Sequence, residues 1–367
     1  MKVLLIAGAR PNFMKIAPVW FEMQQDPSHF EPILLHTGQH YDYEMSKVFF
    51  EDLNLPEPHY FLGVGSGTHA EQTARIMVEF EKVLQEETPD LVVVFGDVNS
   101  TLACSVTAKK LLIPVAHVEA GLRSFDMSMP EEINRKVTDT ISDILFTPSK
   151  DGNENLIREG VNPDKIHFVG NIMIDSLIRV LNRINPFDED KILEEFGLER
   201  GNYVLVTLHR PSNVDDKDHL SKILDCLSTL SQKIPVIFPV HPRTKKNING
   251  FGINFPLNGE FKIVEPLRYK EFITLEKHPT FVLTDSGGIQ EETTYLNIPC
   301  LTLRPNTERP ITITKGTNEL VAFENIKEKI SLILSGKRKQ GKIPELWDGK
   351  TAQRIVDILK DKGVSGK

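Results

Sequence analysis

Short, almost uninterrupted runs of Val, Ile, Leu and other apolar residues recur along the chain, and longer segments with helical spacing separate them. The runs in the first half lie at 2–7, 32–37, 91–96, 113–118 and 144–149. Between them, AEQTARIMVEFEKVLQEE (70–87) is a clear case of helical periodicity. Apolar strands that alternate with helices in this way are typical of parallel sheets covered on both faces.

The same alternation starts again after about residue 175. The strands predicted there lie at 203–208, 234–240, 261–265, 280–285 and 298–303. Two such series predict an α/β protein of two doubly wound domains, whose strand-end loops face a cleft. We place the first domain at 1–172 and the second at 173–350. We expect the amphipathic helix at about 351–365 to pack back onto the first domain.

Composition and charge exclude several classes of function. The 367 residues carry 43 Lys and Arg against 51 Asp and Glu, a net charge of −8, which argues against a nucleic-acid surface. No run approaches the ~20 apolar residues of a membrane-spanning helix, and MKVLLIAGAR has too short an apolar run for a secretory signal. The 3 cysteines are widely spaced and form neither a disulfide framework nor a zinc pattern. We expect a cytoplasmic protein without a bound metal.

Polar residues follow several predicted strands of the first half. The loop GARPNFMK (8–15) lacks the G-x-G-x-x-G pattern of dinucleotide-binding proteins, and it places Arg10 just beyond the strand and Lys15 in the next helix. The loop GDVNST (96–101) carries Asp97 directly before a helix. A turn with a surface lysine and an ordinary helix N-cap remain alternative interpretations of these two loops.

The segment HVEAGLRSFDMSMPEEINRK (117–136) contains two more candidate acids. Glu119 ends a fully apolar strand, where a carboxylate is costly unless it is paired or used in function. Glu131 follows Pro130, so it could simply belong to the first turn of a helix, where acidic residues complement the helix dipole. Glu119 is therefore the stronger candidate of the two.

The second half ends two strands with a histidine and an arginine close by, at His209 and at His241, although either histidine alone is more often structural. The stretch TDSGGIQEE (284–292) follows another strand and precedes a helix. Its paired glycines let backbone N–H groups approach an anion at the helix N-terminus. A carboxylate one turn later can accept hydrogen bonds from both hydroxyls of a ribose. The stretch predicts a nucleoside diphosphate site; a plain glycine-rich turn is the alternative.

In their order and spacing, the motifs GxRPxxxK, HVEAGLRS with PEEINR, and TDSGGIQEE followed by TERP resemble those of one family. This family is the non-hydrolysing UDP-N-acetylglucosamine 2-epimerases, and the resemblance covers nearly the whole chain. It implies a glycosyltransferase-B-like fold of two Rossmann-like domains and a cofactor-independent homodimer. It also implies interconversion of UDP-N-acetylglucosamine and UDP-N-acetylmannosamine for surface polysaccharides. The reaction would eliminate UDP to give 2-acetamidoglucal and add it back with inversion at C2.

The resemblance also implies roles for individual residues. The implied catalytic residues are Asp97, Glu119, Glu131, His209 and Lys15. The implied substrate contacts are Arg10, Lys15, His209, Ser286, Gly287, Gly288, Glu292 and Arg309. Among these, Asp97, Glu119 and Glu131 are the acid–base carboxylates, Ser286 to Gly288 the diphosphate site and Glu292 the ribose contact.

Two departures from the commonest family pattern stand out. The first loop is GARPN rather than GTRPE, and the histidine motif is HRPSN rather than HRRE or HREN. In bacterial members the latter region helps to hold a second, activating substrate molecule, and Gln39 and His40 match its other half.

Three further functions remain open. They are a hydrolysing epimerase that releases free N-acetylmannosamine, a glycosyltransferase of the same fold, and a non-catalytic nucleotide-sugar sensor.

Overall fold

The structure is a computed structural model that describes residues 1–8, 10–38, 53–253 and 260–363, without the side chains of Arg10 and Pro11. The chain divides into two compact units. The first consists of Met1–Ile178 together with Glu345–Lys367, and the second of Arg179–Pro344. No helix in the described ranges combines the length and the apolar character needed to cross a membrane.

The first unit is built on a parallel sheet. Within the described ranges its strands are β1 (Lys2–Ala7), β2 (Glu31–His36), β3 (Tyr60–Phe61), β4 (Leu91–Phe95), β5 (Val115–Val118), β6 (Ile144–Thr147) and β7 (Ile166–Phe168). Their order is β3-β2-β1-β4-β5-β6-β7, with Leu4 opposite Ile33 on one side and Val92 on the other. The central strand β4 is buried along its whole length, which explains its uninterrupted apolar sequence LVVVF.

Helices cover this sheet. In the described ranges they are α1 (Arg10–Gln24), α2 (His69–Glu87), α3 (Asn99–Lys110), α4 (Pro130–Ile141), α5 (Lys150–Arg158), α6 (Ile172–Leu181) and the C-terminal α15 (Thr351–Lys362). Helix α2 begins with a capping box between Thr68 and Glu71 and buries Ile76 and Phe80 against the sheet. Helix α15 packs against α1, so the C-terminal segment completes the first unit.

The second unit repeats the arrangement. Its parallel strands in the described ranges are β8 (Val204–Thr207), β9 (Val236–Pro239), β10 (Phe261–Val264), β11 (Phe281–Thr284), β12 (Cys300–Leu303) and β13 (Asn318–Val321), in the order β10-β9-β8-β11-β12-β13. Its helices are α7 (Pro186–Glu195), α8 (Pro211–Val214), α9 (Lys217–Leu230), α10 (Pro242–Gly250), α11 (Tyr269–Lys277), α12 (Gly287–Leu296), α13 (Pro310–Thr314) and α14 (Ile326–Leu334). Apolar residues from both faces of the sheet form its cores.

The predicted α/β class with two Rossmann-like, doubly wound units is confirmed, and each of the ten predicted strands exists. The observed strands are often one or two residues shorter; β5 begins at Val115 rather than at 113, directly after Pro114. Sequence analysis missed β3, β7 and β13. These strands lie at sheet edges, where incomplete burial weakens the apolar signal.

Candidate active site

The end of β5 brings a lysine and a glutamate into a buried ion pair in the first unit. Lys15 on α1 donates a hydrogen bond from Nζ to Glu119 Oε2, and the two residues are only 7% and 3% exposed. Gly96, just after β4, lies against this pair. A Cβ at Gly96 would come within 2.8 Å of Lys15 Nζ and 3.3 Å of Glu119 Oε2. The backbone after β4 can therefore approach the pair only because residue 96 is glycine.

Glu119 has an unusual backbone conformation. Its φ is +73°, in the left-handed region that residues with a side chain rarely adopt. The N–H groups of Glu119 and Ala120 both donate to the carbonyl of Phe146, at 3.1 and 3.0 Å, so the chain turns sharply as β5 ends. Strain of this kind is concentrated at functional sites. The prediction of a special role for Glu119 therefore gains a second, independent observation.

Asp97 follows Gly96 directly, and its carboxylate pairs with Arg135 on α4. Asn134 fixes the backbone beside it by donating to the Asp97 carbonyl at 2.8 Å. The Asp97 side chain is 28% exposed, whereas that of Arg135 is 2% exposed. Arg135 therefore holds the Asp97 carboxylate from the protein interior, and part of the Asp97 side chain remains exposed.

The two consecutive acids at the start of α4 have different environments. Glu132 is fully buried and accepts hydrogen bonds from the N–H groups of Ser124 and Phe125, both at 3.0 Å, and from Arg135. Burial would raise the pKa of Glu132, but these bonds outweigh it and lower the pKa. Glu131 is half-buried in the first turn and makes no side-chain hydrogen bond within the described residues. Glu132 thus fixes the loop after β5, and Glu131 remains available.

A buried histidine that sequence analysis did not single out lies beneath these residues. His117 on β5 donates from Nδ1 to Asp139 Oδ1 at 2.6 Å and from Nε2 to the Gly96 carbonyl at 2.8 Å. Asp139 Oδ2 also accepts from Arg123 Nη1 at 2.7 Å and from the Gly121 N–H at 3.1 Å. Both ring nitrogens thus face oxygen acceptors, and the ring joins the end of β4 to helix α4. A histidine within an apolar strand was the available signal, since buried polar groups need partners.

In the second unit, one buried aspartate organises the loop after β8. Asp285, which directly follows β11, accepts hydrogen bonds from the N–H groups of His209 and Arg210 at 3.0 and 2.9 Å, and from Asn213 Nδ2 at 3.0 Å. The His209 ring also contacts it, with Nδ1 2.9 Å from Oδ1. Burial would raise the pKa of Asp285, but the contacts with His209 and the other donors lower it.

The predicted diphosphate site is the N-terminus of α12, where Ser286 is the N-cap. Residues 286–288 are half-buried. A Cβ on Gly287 would lie 2.6 Å from Arg309 Nη1 and 2.7 Å from Glu308 Oε1. Arg309 is itself held by Glu308 and by Glu291, whose Oε1 is 2.9 Å from Arg309 Nε. Gly287 therefore leaves room for a buried arginine beside the helix N-terminus, which a plain turn would not require.

Glu292, the predicted ribose contact, lies one turn into α12 and is only 4% exposed. The Tyr269 hydroxyl donates to its Oε1 at 2.7 Å. Burial raises its pKa to about 7, although the bond from Tyr269 acts in the opposite direction. The neighbouring Glu276 is fully buried, which raises its pKa well above the usual value. Two adjacent buried carboxyls cannot both ionise readily, so the pair shares a proton at neutral pH.

The comparisons with known proteins agree on one family. The family model described as UDP-N-acetylglucosamine 2-epimerase matches residues 22–360. A UDP-N-acetylglucosamine 2-epimerase of Methanocaldococcus jannaschii is 44% identical over 98% of this chain and 99% of its own. The chain belongs to this family. A second relative, the UDP-2,3-diacetamido-2,3-dideoxy-D-glucuronate 2-epimerase of Pseudomonas aeruginosa, is 40% identical over 98% of this chain and 99% of its own.

Solved structures of the UDP-N-acetylglucosamine 2-epimerase family share the fold. The crystal structure of the M. jannaschii epimerase in complex with UDP-GlcNAc and UDP has a TM-score of 0.88 at 44% identity, and covers 98% of this chain and 100% of its own. The predicted roles of single residues stay predictions. The backbone of Arg10 begins α1, but its side chain lies outside the described part of the structure, as do Gln39 and His40.

Proposed function

We propose that the protein interconverts UDP-N-acetylglucosamine and UDP-N-acetylmannosamine without a cofactor. The observation that carries the proposal is the buried Lys15–Glu119 pair at the strained end of β5, next to Gly96 and Asp97. The M. jannaschii relative has this epimerase name, and its crystal structure contains UDP-GlcNAc and UDP. Identity of 44% over nearly the full length of both chains supports the same substrate here.

The proposed reaction begins with an elimination. The C1–O bond to UDP breaks and UDP leaves with the electron pair. The positive charge that develops at C1 acidifies the C2 hydrogen, and a carboxylate takes this proton as the C1=C2 bond of 2-acetamidoglucal forms. In the second step an acid delivers a proton to C2 on the opposite face, while a phosphate oxygen of UDP attacks C1. Two faces of C2 require two proton-transfer groups, each of which typically contributes about 10²–10⁴-fold.

We assign these proton transfers to carboxylates of the first unit. Asp97 is partly exposed and held by Arg135, Glu131 is half-buried and makes no side-chain hydrogen bond within the described residues, and Glu119 is buried against Lys15. The Lys15 ammonium group donates a hydrogen bond to Glu119 Oε2 and so fixes the position of this carboxylate. The assignment leaves open which of the three acts on which face.

We assign the diphosphate to the second unit. The backbone N–H groups at the start of α12 and the helix dipole favour an anion there by roughly 0.3–1 kcal/mol, and by up to ~2 when it is partly buried. His209 and Arg309 supply polar hydrogens close to that helix end. Glu292 is the proposed acceptor for the ribose hydroxyls.

The test is proton NMR of the purified protein with UDP-N-acetylglucosamine in D₂O. We expect UDP-N-acetylmannosamine to appear with deuterium at C2, because the proton removed from one face exchanges with solvent before the other face is protonated. Retention of the original hydrogen would contradict the mechanism. Free N-acetylmannosamine as the main product would favour the hydrolysing alternative.

The name of the P. aeruginosa relative indicates a second candidate substrate. Its name describes a UDP sugar that differs from UDP-N-acetylglucosamine at C3 and C6 and is epimerised at the same carbon, C2. The proposed elimination chemistry applies equally to both sugars. Turnover of the two substrates at equal concentration would decide between them. We expect UDP-N-acetylglucosamine to react faster, because the M. jannaschii relative that matches nearly the full length of this chain has that epimerase name.

We further propose that the protein works as a cytoplasmic homodimer and supplies sugars for surface polysaccharides, as the family resemblance implies. Size-exclusion chromatography with light scattering tests the first part. A particle of twice the 41.5 kDa chain mass is expected. A particle with the mass of a single chain at micromolar concentration would contradict it.

A further inference from the structure

We propose that Asp285 is a positioning residue that acts through His209, fixing the imidazole so that its Nε2 edge serves the diphosphate at the start of α12. The inference rests on the function proposed above and deepens it. It assigns to the carboxylate no contact with substrate and no proton transfer. Asp285 stays ionised throughout and holds the ring in one orientation, with Nδ1 protonated.

The first step of the argument is the environment of the carboxylate. Asp285 is fully buried, and four groups converge on it: the N–H groups of His209 and Arg210, the Asn213 amide and the His209 ring. All of them can donate, and a carboxylate that accepts several hydrogen bonds is ionised. Contact with His209 lowers the pKa of Asp285 in agreement with this.

The second step concerns the ring. Because the carboxylate is ionised, His209 Nδ1 must carry the proton in the 2.9 Å contact. The nitrogen that remains is Nε2, on a side chain that is 39% exposed. An aspartate that fixes one ring nitrogen and leaves the other for substrate is a recurring arrangement in enzymes. His209 thus has one nitrogen committed to the protein and one that can serve a ligand.

The third step is the position of the pair. Asp285 directly precedes Ser286, the N-cap of α12, so one carboxylate connects the loop after β8 to the helix N-terminus. Other groups around the ring are His241, whose ring centroid is 5.3 Å away, and Arg210, which donates from Nε to the Asp285 carbonyl at 3.0 Å. His241 Nδ1 accepts from the Arg243 N–H at 3.2 Å.

These steps have a chemical consequence for the elimination. As the C1–O bond breaks, negative charge collects on the departing phosphate, and a protonated imidazole stabilises that charge. A cationic ring is also attracted by the negative charge of Asp285, whose Oδ1 lies 2.9 Å from Nδ1. An uncharged residue at position 285 would remove this attraction and weaken the contribution of His209 to UDP binding.

The experiment replaces Asp285 by asparagine, which keeps an oxygen acceptor but removes the charge. UDP affinity is measured by calorimetry between pH 5.5 and 8.5, and kcat and KM are measured over the same range. We expect kcat to fall about 10–100-fold, as for other residues that orient a functional histidine. We also expect the loss of UDP affinity on raising the pH to begin at a lower pH than in the wild type.

The matched control is Asp215→Asn. Asp215 pairs with Arg243 on α10 and undergoes the same chemical change, but it contacts neither His209 nor α12 within the described residues. It should leave the pH profile unchanged. A double variant, Asp285→Asn with His209→Ala, should show no further change in the pH profile beyond that of His209→Ala alone, since Asp285 acts through the ring.

Nitrogen NMR of histidine-labelled wild-type protein provides a test even if Asp285→Asn fails to fold. The His209 Nδ1 signal should be that of a protonated nitrogen at pH 8, and an unprotonated Nδ1 would overturn the proposal. An active Asp285→Asn enzyme with the wild-type pH profile would also overturn it while leaving the epimerase function intact. If the wild type neither binds UDP nor epimerises, the proposed function fails instead.

Discussion

Buried acids near the candidate site residues are compensated differently in the two units. In the first unit each has a cationic partner within hydrogen-bond distance. The pairs are Lys15–Glu119, Arg135–Glu132 and Arg123–Asp139. In the second unit Asp285 and Glu308 are also held by several donors or by cations, whereas no cation pairs with Glu276 or Glu292 among the described residues. Glu292 accepts from the neutral Tyr269 hydroxyl, and it is also hydrogen-bonded to the buried Glu276.

The difference matches the chemistry proposed for each unit. Proton transfer at carbon needs carboxylates that are ionised and fixed, and a neighbouring cation secures both properties. A contact with neutral ribose hydroxyls needs only an acceptor oxygen, so a pair that shares one proton is sufficient. In the first unit a cation therefore fixes Glu119, one of the proposed proton-transfer acids, whereas the proposed ribose contact Glu292 accepts from a neutral hydroxyl. Each prediction below tests one side of this comparison.

The largest effect is expected for Glu119→Gln in the first unit. Glutamine keeps the shape and an acceptor oxygen, but it cannot take a proton, so turnover per folded molecule should fall by about 10²–10⁴-fold. Steady-state kinetics on protein whose folded fraction is known from circular dichroism measures this. Glu159→Gln is the matched control, because Glu159 also pairs with a buried arginine of the unit. A destabilised but fully active Glu119→Gln would remove Glu119 from the mechanism.

A large loss of stability is expected for His117→Phe. Phenylalanine keeps a planar ring but leaves the Gly96 carbonyl and one Asp139 oxygen without their donor. Breaking a buried pair of this kind costs about 3–5 kcal/mol in the free energy of unfolding. Urea denaturation should show the loss. His167→Phe on β7 is the control, because burial already lowers the pKa of His167 and its Nε2 has no partner among the described residues. Equal losses in both variants would mean that the His117 contacts contribute nothing specific.

Sequence patterns were sufficient to predict the double series of strands and helices because buried parallel strands require uninterrupted apolar runs, as in β4. The same patterns gave no sign of β7, whose residues are half-buried. They placed Glu119 at a strand end, but the left-handed φ and the partner Lys15 depend on tertiary structure. Lys15 and Glu119 are 104 positions apart. No local pattern can reveal such a contact.

The site residues that sequence analysis missed have the same physical explanation. His117 and Asp139 contribute through hydrogen bonds to backbone groups and to each other, across 22 positions of chain. Asp285 stands inside the motif TDSGGIQEE, yet its function as an acceptor for the loop after β8 depends on the register of β8 beside β11. The spacing of this motif identified its glycines. Only the fold shows that Gly287 leaves room for the Arg309 side chain.

A smaller effect is expected for Gly287→Ala, which tests the compensated part of the second unit. The new Cβ would displace Arg309 from its place beside the helix N-terminus and weaken UDP binding. An anion at such a terminus gains up to ~2 kcal/mol, so UDP affinity should fall roughly tenfold. Calorimetry with UDP measures it. Gly250→Ala is the control, since a Cβ there meets nothing within 4 Å. An unchanged dissociation constant would assign Gly287 to packing alone.

The smallest effect is expected for Glu276→Gln, which tests the uncompensated pair. Burial raises the pKa of Glu276 in the folded protein well above the value of 4.5 expected when unfolded. Above that value the unfolded chain therefore releases a proton that the folded protein retains, and wild-type stability falls as the pH rises. Glutamine cannot ionise, and its amide can donate to Glu292 as a protonated Glu276 would.

The expected result is a smaller fall in Tm between pH 5 and pH 8 in Glu276→Gln than in the wild type, with a higher Tm at pH 8. Each kcal/mol should appear as about 2–4 °C for a domain of 150–250 residues. Glu189→Gln is a control of opposite sign. Burial would raise the pKa of Glu189, but hydrogen bonds from Lys277, Arg200 and His278 lower it to about 2, so this acid stabilises the fold at neutral pH. Glu189→Gln should lower Tm at pH 8. If both variants shifted Tm in the same direction, Glu276 would have to be a compensated acid after all, and the contrast between the two units would not hold.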